Sequence, residues 1–253
     1  MQHNPVVIKL SGKSLNASSE LGALFESCIG SRAVIVHGGG VEVDALFKSL
    51  SLEVVKKNGL RVSPREHMPY ICAALAGMCN KRLQSIAIQS GLKAIGILAS
   101  DGGTLKTRPA DPELGMVGQV EPSDRSYLEL MLDNGYTPII ASLAHDSEGN
   151  LYNVNADDVA VAVAALLKAP LYFISDVPGV LDQSGKLIPS LNEQLVNKLI
   201  EDGTITGGMV VKVKGALSAT RQIQRKVYIA SYKDPDLKEI VKTEKALGTV
   251  FEI

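Results

Sequence analysis

The segment Val34–Leu50, VIVHGGGVEVDALFKSL, constrains the fold more than any other. A β-branched run passes through three glycines into a segment whose Val43, Leu46, Phe47 and Leu50 share one helical face. Strand, glycine turn and helix in direct succession open a βα unit, and the alternation recurs. Strands are expected at 5–11, 33–37, 93–99, 137–142, 171–175, 227–231 and 249–252, and helices at about 18–29, 41–50, 64–90, 124–134, 156–168, 191–201, 208–224 and 235–244. Apolar strands such as LYFIS, alternating with helices, imply a mainly parallel sheet covered on both faces.

Two segments interrupt the pattern. EVVKKNGLRV reads as a hairpin turning at Asn58-Gly59, and residues 104–121 as a further small β element. DSEGN and DQSGK mark turns. The long helix carries a start signal, Ser63-Pro64-Arg65-Glu66, readable as a capping box, and Gly91 as a stop. Met68, Ile71, Leu75, Cys79, Leu83 and Ile86 form its apolar stripe; this helix either fills its own core or is shared with a second subunit.

Composition excludes several classes. A formal net charge of -1 offers no basic field for nucleic acid, and the apolar runs are too short for a membrane span. Three cysteines without a CxxC pair and four scattered histidines give no disulfide framework and no protein-built metal site. The strand pattern starts so early that no leader is expected ahead of it, which points to the cytoplasm. With no linker, the 253 residues read as one domain, its second lobe beginning near residue 170.

In an open α/β sheet ligands sit beyond the carboxyl ends of the strands, and unusual residues gather there: Lys9 and Gly12, Gly38 to Gly40, Asp176, and Gly207-Gly208 ahead of a helix. Glycines let backbone N–H groups approach an anion, or else serve only tight packing. Lys9 in an apolar strand asks for an anionic partner or snorkels to water, and Lys212 near a helix start opposes the helix dipole. In NVNADDVA, Asn155 is an N-cap with Asp157 and Asp158 behind it, which leaves Asn153 unexplained. By spacing alone Arg61 reads as a solvated hairpin residue.

VIVHGGG, KKNGLRV, ALAGMCNK, DNGYTPII, NVNADDVA, SDVPGVLD and ITGGMVVKV, in this order, resemble the acetylglutamate kinase branch of the amino acid kinase family along the whole chain. The resemblance implies a three-layer αβα sandwich around a mainly parallel sheet. It implies ATP-dependent phosphorylation of the side-chain carboxylate of N-acetyl-L-glutamate, in arginine biosynthesis. Residues 1–169 would take the acceptor and 170–253 the ATP, with Mg²⁺ held mainly by the ATP phosphates. By the same resemblance Lys9 and Lys212 are transition-state cations and Asp157 positions both. Gly39 and Gly40 form a backbone cradle, and Arg61 and Asn153 contact the acceptor. Gly12, Asp176, Val177, Pro178, Gly179, Val180, Leu181, Thr204, Ile205 and Thr206 fall on the nucleotide side. A homodimer through the helix at 64–90 is implied; the few residues before Pro5 leave no room for the additional helix of hexameric, arginine-inhibited relatives. Ser11-Gly12 departs from the usual glycine pair, and KLSG is closer to bacterial uridylate kinases, so a uridylate acceptor is the alternative. A non-catalytic sensor on the same fold is a third reading, against which the retention of both lysines argues.

Overall fold

The computed structural model describes residues 4–57, 59–237, 241 and 247–252, at 13 and 16 the backbone alone. The strands are β1 (Val6–Leu10), β2 (Ala33–His37), β3 (Lys56–Lys57), β4 (Leu60–Arg61), β5 (Lys93–Leu98), β6 (Leu105–Pro109), β7 (Val117–Pro122), β8 (Tyr136–Ala141), β9 (Leu143–His145), β10 (Leu151–Val154), β11 (Leu171–Ser175), β12 (Ser190–Leu191), β13 (Val227–Ser231) and β14 (Thr249–Phe251). The helices are α1 (Ser18–Ser27), α2 (Gly40–Ser49), α3 (Met68–Cys72), α4 (Asn80–Gln89), α5 (Ser126–Asp133), α6 (Ala156–Leu167), α7 (Glu193–Glu201) and α8 (Gly207–Ile223). The helix expected at 235–244 falls largely outside the described residues.

Eight strands form the central sheet in the order β12-β14-β13-β11-β1-β2-β8-β5. All neighbours run parallel except β13 and β14. Alternation along each strand divides the core. Ile8, Leu10 and Ile35 pack on one face against Leu21, Leu24 and Phe25 of α1 and Leu83 of α4. Val7, Val34 and Val36 pack on the other against α5, α6 and α8. The result is a mainly parallel sheet covered on both faces, as the alternation predicts, and three layers, αβα, as the resemblance implies. A second sheet, β6-β7-β10-β9, takes up the expected β element and adds two strands, β9 and β10, that the sequence pattern leaves out.

The long helical segment differs from expectation at both its start and its middle. The capping box does not form. Ser63 bridges to Gly115 instead: its N–H donates to the Leu114 carbonyl and its own carbonyl accepts from Met116. The segment opens with a 3-10 turn, Arg65–His67, and the α-helix begins at Met68 with Pro69 in its first turn. Residues Ala73–Cys79 form a π-turn between α3 and α4, a local widening often found beside functional sites. The stripe faces inward as expected, with Ile71 and Leu83 fully buried. Gly91 ends the segment at φ +89°.

Candidate functional site

β1, β2 and β11 are adjacent in the sheet, so their carboxyl ends bring Lys9, the glycine run and Ser175-Asp176 to one edge. Two cavities open there. The larger, about 960 Å³, is lined by Lys9, Ser11, Gly12, Asp157, Asp176 and Lys212 among others. The smaller, about 260 Å³, is lined by Gly38, Gly39, Arg61, Asn153 and their neighbours. Gly40 and Lys56 line both, so the N-terminus of α2 lies where the two meet.

In the larger cavity Lys9 Nζ lies 2.7 Å from Asp157 Oδ1, at the start of α6, where the Asn155 side chain accepts from the Asp157 N–H. The lysine side chain is 16 % exposed. Thus the lysine within an apolar strand has the partner that burial demands. Burial, with the charge of Asp157 added, raises the neighbouring Asp158 carboxyl above the usual carboxylate range. Lys212, on the second turn of α8, reaches only a long contact, 3.5 Å, with Ser175 Oγ.

The smaller cavity has a different construction. Arg61 is not the solvated hairpin residue that its spacing suggests: its side chain is 7 % exposed. The β3–β4 pairing, with Lys56 opposite Arg61, turns it inward, although Asn58 lies outside the described residues. The guanidinium lies over the Phe47 ring, 5.4 Å from its centroid. Nη2 donates to the Gly40 carbonyl at 3.1 Å and to Asp44 Oδ1. Nη1 is buried without a hydrogen-bond partner. Asp44 also receives Lys56 Nζ at 2.9 Å. Burial pushes the Asp44 carboxyl up, but hydrogen bonds and charge from Lys56 and Arg61 outweigh it and hold the group below its ordinary range.

Asn153 donates through Nδ2 to Ser63 Oγ at 3.1 Å, and Ser63 Oγ donates to the Arg61 carbonyl at the same distance. The serine that fails to cap the helix therefore ties Arg61 to Asn153. The sequence marks Ser63 only as a helix cap and does not mark Asp44 at all. The one available signal is that Asp44 stands four residues after Gly40, on the same face of α2.

The glycines divide by role. A Cβ on Gly39 would lie 2.6 Å from Cys79 Sγ and 2.8 Å from Leu75 Cδ2, so this glycine lets the π-turn pack against α2. A Cβ on Gly40 would meet nothing within 4 Å. Beneath them, His37 is fully buried. Its Nδ1 lies 2.7 Å from the Gly38 carbonyl, and Asn80 Nδ2 lies 3.0 Å from its Nε2. A neutral ring donating from Nδ1 and accepting at Nε2 satisfies both contacts. Burial pushes its pKa down to about 4, against the opposing hydrogen bond to Gly38.

Of the remaining predicted positions, Gly12 and Asp176 line the larger cavity. Val180 and Ile205 turn their side chains into the core, and Val177 packs against it. Gly179 abuts Thr249, Pro178 presents its carbonyl towards Gly248, and Leu181 bridges to Leu187. Thr204 Oγ1 accepts from Gln183, and Thr206 precedes α8. Any nucleotide contact from Val180 or Ile205 must therefore use the backbone.

The sequence profile of the amino acid kinase family matches residues 4–231. The chain belongs to the amino acid kinase family. The acetylglutamate kinase of Vibrio vulnificus (strain CMCP6) is 46% identical over 254 residues, 98% of this chain and 97% of the relative. That of Aliivibrio fischeri (strain MJ11) is 42% identical over 258 residues, 100% of this chain and 99% of the relative. Among solved structures, smu.665 from Streptococcus mutans UA159 superposes with a TM-score of 0.78 at 28% identity, covering 98% of both chains. Carbamate kinase from Giardia lamblia bound to AMP-PNP has a TM-score of 0.65 at 15% identity, over 99% of this chain and 98% of its own, a likeness of fold alone.

Proposed function

We propose that this member of the amino acid kinase family is an ATP-dependent kinase that phosphorylates the side-chain carboxylate of N-acetyl-L-glutamate, the reaction that gives its Vibrio and Aliivibrio relatives their name. The observation that carries the reading is the pair of cavities meeting at Gly40 and Lys56, one with a buried guanidinium and the other with Lys9 and Lys212. At about 260 Å³ the smaller is below the roughly 300–1,000 Å³ of drug-sized ligand pockets, a size for a small acid rather than a nucleotide. This favours N-acetylglutamate over uridylate as acceptor. Arg61 and Asn153 hold the acceptor's α-substituents. Residues from about 170 onward, including 176–181 and 204–206, serve the nucleotide together with Gly12, and the acceptor is held by residues before 170.

The side-chain carboxylate is ionised at neutral pH and is itself the nucleophile. One of its oxygens bonds to the γ-phosphorus as the bond to the β–γ bridging oxygen breaks, and ADP leaves with that electron pair. No general base is required. The obstacle is repulsion between anions, so positioning and charge neutralisation supply the catalysis. Lys9, Lys212 and the N–H groups at Gly12 and Gly40 surround the space for the phosphates. Asp157 fixes Lys9; a second hold on Lys212 belongs to the proposal. Asp157, Asp158 and Asp176 line the same cavity, but no cluster of three metal-ligating side chains forms among the described residues, so Mg²⁺ would be carried mainly by the phosphates and add charge neutralisation there.

A homodimer through the 64–90 helical segment is part of the proposal, supported by the exposed Tyr70, Met78 and Ile88 on it. Leu75 lies inside its own subunit, so Met78→Glu is the substitution that tests the interface. Sedimentation should give a dimer for the native chain and a monomer for the variant. The site lies in the cytoplasm on this reading; among the described residues no helix is long and apolar enough to cross a membrane. A coupled assay of ADP release over N-acetylglutamate, glutamate and UMP decides the acceptor. Turnover with N-acetylglutamate alone is expected, and turnover with UMP alone would transfer the proposal to the uridylate kinases.

A further inference from the structure

β1 ends at Leu10, but its ladder runs one residue further. The Ser11 N–H donates to the Ile174 carbonyl at 3.0 Å, and Ser11 keeps extended angles, φ −74° and ψ 157°. Alternation therefore puts the Ser11 side chain on the same face as Val7 and Lys9, towards α6 and α8. The parallel register Leu10 with Ile174 places Ser11 beside Ser175, whose hydroxyl is in contact with Lys212. Ser11 lies in this way between the two lysines and lines the larger cavity.

The Ser11 hydroxyl is buried and has no hydrogen-bond partner. Its neighbours do have partners: Ser14 Oγ donates to the Ser11 carbonyl at 2.6 Å, and Ser175 Oγ takes contacts from Lys212 and from the Val177 N–H. A buried hydroxyl left unpaired costs free energy that a ligand recovers. Carboxylates, Asp157 on Lys9 and Asp176 after Ser175, share this cavity, but a phosphate oxygen drawn in between Lys9 and Lys212 is an acceptor to which the Ser11 hydroxyl can donate. We propose that the Ser11 hydroxyl donates a hydrogen bond to the phosphate chain of the nucleotide, as a third side-chain donor beside Lys9 and Lys212. The proposal rests on the phosphotransfer reading.

The test compares Ser11→Ala and Ser11→Cys with the native protein. Cysteine keeps the volume but is a poor donor. Three measurements are made: calorimetric titration with MgATP, steady-state kinetics with N-acetylglutamate, and thermal unfolding of the ligand-free proteins. Both variants should lose roughly tenfold in kcat/KM for ATP, the value of one hydrogen bond to a charged group, and weaken MgATP binding or lower kcat accordingly. The KM for N-acetylglutamate should stay unchanged. The ligand-free Ser11→Ala protein should unfold at the same temperature or higher, because it no longer buries an unpaired hydroxyl. Native-like ATP parameters in either variant overturn the proposal. So does a lowered unfolding temperature, which would give the hydroxyl a structural partner. If the native protein binds MgATP and the variants bind it more weakly while no phosphate reaches N-acetylglutamate, the acceptor assignment fails and the role of Ser11 stands.

Discussion

The two cavities differ in how they hold their positive charge. In the smaller one the cation is already fixed: Arg61 is buried, stacked on Phe47 and bonded to Asp44 and to Gly40 at the start of α2. In the larger one Lys9 has one carboxylate, and Lys212 reaches only a long contact with a serine. A guanidinium fixed before binding recognises a group that is the same throughout the reaction. A loosely held ammonium can follow charge that moves between oxygens as the phosphoryl group transfers. The comparison assigns affinity for the acceptor to the small cavity and rate to the large one.

The largest effect should come from the loosely held cation. Lys212→Ala is expected to lower kcat by about 10²–10³ with little change in either KM, the loss seen when a donor to developing charge is removed. If kcat stays within about threefold of native, the division between the cavities is broken.

Arg61→Ala should act on the other parameter. A charge-assisted contact of about 2–4 kcal/mol, equal in ground and transition states, raises the KM for N-acetylglutamate roughly thirtyfold to several hundredfold. kcat and the KM for ATP should remain near native. Arg61→Lys should restore only part of the affinity, because an ammonium cannot reproduce the planar fork. A shift confined to the ATP KM would reverse the site map.

Acid stability probes the shared floor. His37 is held neutral in the folded protein, with its pKa pushed from 6.5 to about 4 by burial. Between those values the unfolded chain binds a proton that the folded chain refuses. Stability is therefore full above about pH 6.5 and falls as pH drops towards 4, by about 3 kcal/mol in total. Urea midpoints of native protein and His37→Gln across this range should diverge, the variant having the flatter profile. Parallel profiles would show that other groups set the acid limit.

The glycines sharpen the comparison further. Gly39→Ala drives a methyl against Cys79 and Leu75 and should cost about 1–3 kcal/mol of stability. Gly40→Ala meets open space, so the fold should tolerate it while activity falls, since its methyl enters the junction of both cavities. Thermal unfolding and turnover, measured on both, should therefore rank the two substitutions in opposite orders.

Much of this architecture is legible in the sequence because periodicity reports burial. Seven of the eight strands of the central sheet follow from which residues must avoid water; the two-residue edge strand β12, Ser190–Leu191, is too short to show a period and ends where a helix is expected to begin. Local chemistry is less legible. The Ser63 capping signal is real as a pattern, yet Ser63 joins a β-bridge to Gly115, and a tertiary hydrogen bond outcompetes a helix cap. The π-turn at 73–79 leaves no mark, since the stripe of apolar residues continues through it. Arg61 illustrates the limit most directly. Its spacing places it on a hairpin, but only the docking of that hairpin onto α2 makes it buried.

Asp44 should give the smallest effect and the finest division. Two outcomes compete. Removing the carboxylate takes a negative charge away from the acceptor's binding place, which alone would strengthen binding. It also takes from Arg61 one of its two Nη2 acceptors, leaving a buried guanidinium held only by the Gly40 carbonyl. Asp44 is 37% exposed, so its charge is well screened by solvent. Orientation should therefore outweigh repulsion, and Asp44→Ala should raise the KM for N-acetylglutamate roughly tenfold with kcat near native, the value of one hydrogen bond to a charged group. Asp44→Asn keeps an acceptor oxygen for Nη2 and should lie between the two. Steady-state kinetics on the three proteins at low and high salt measures this, and the increase should persist at high salt, because a hydrogen bond to a buried group is little screened. A lowered KM that returns to native with added salt would show instead that Asp44 competes with the acceptor, and that Arg61 holds its position through Phe47 and Gly40.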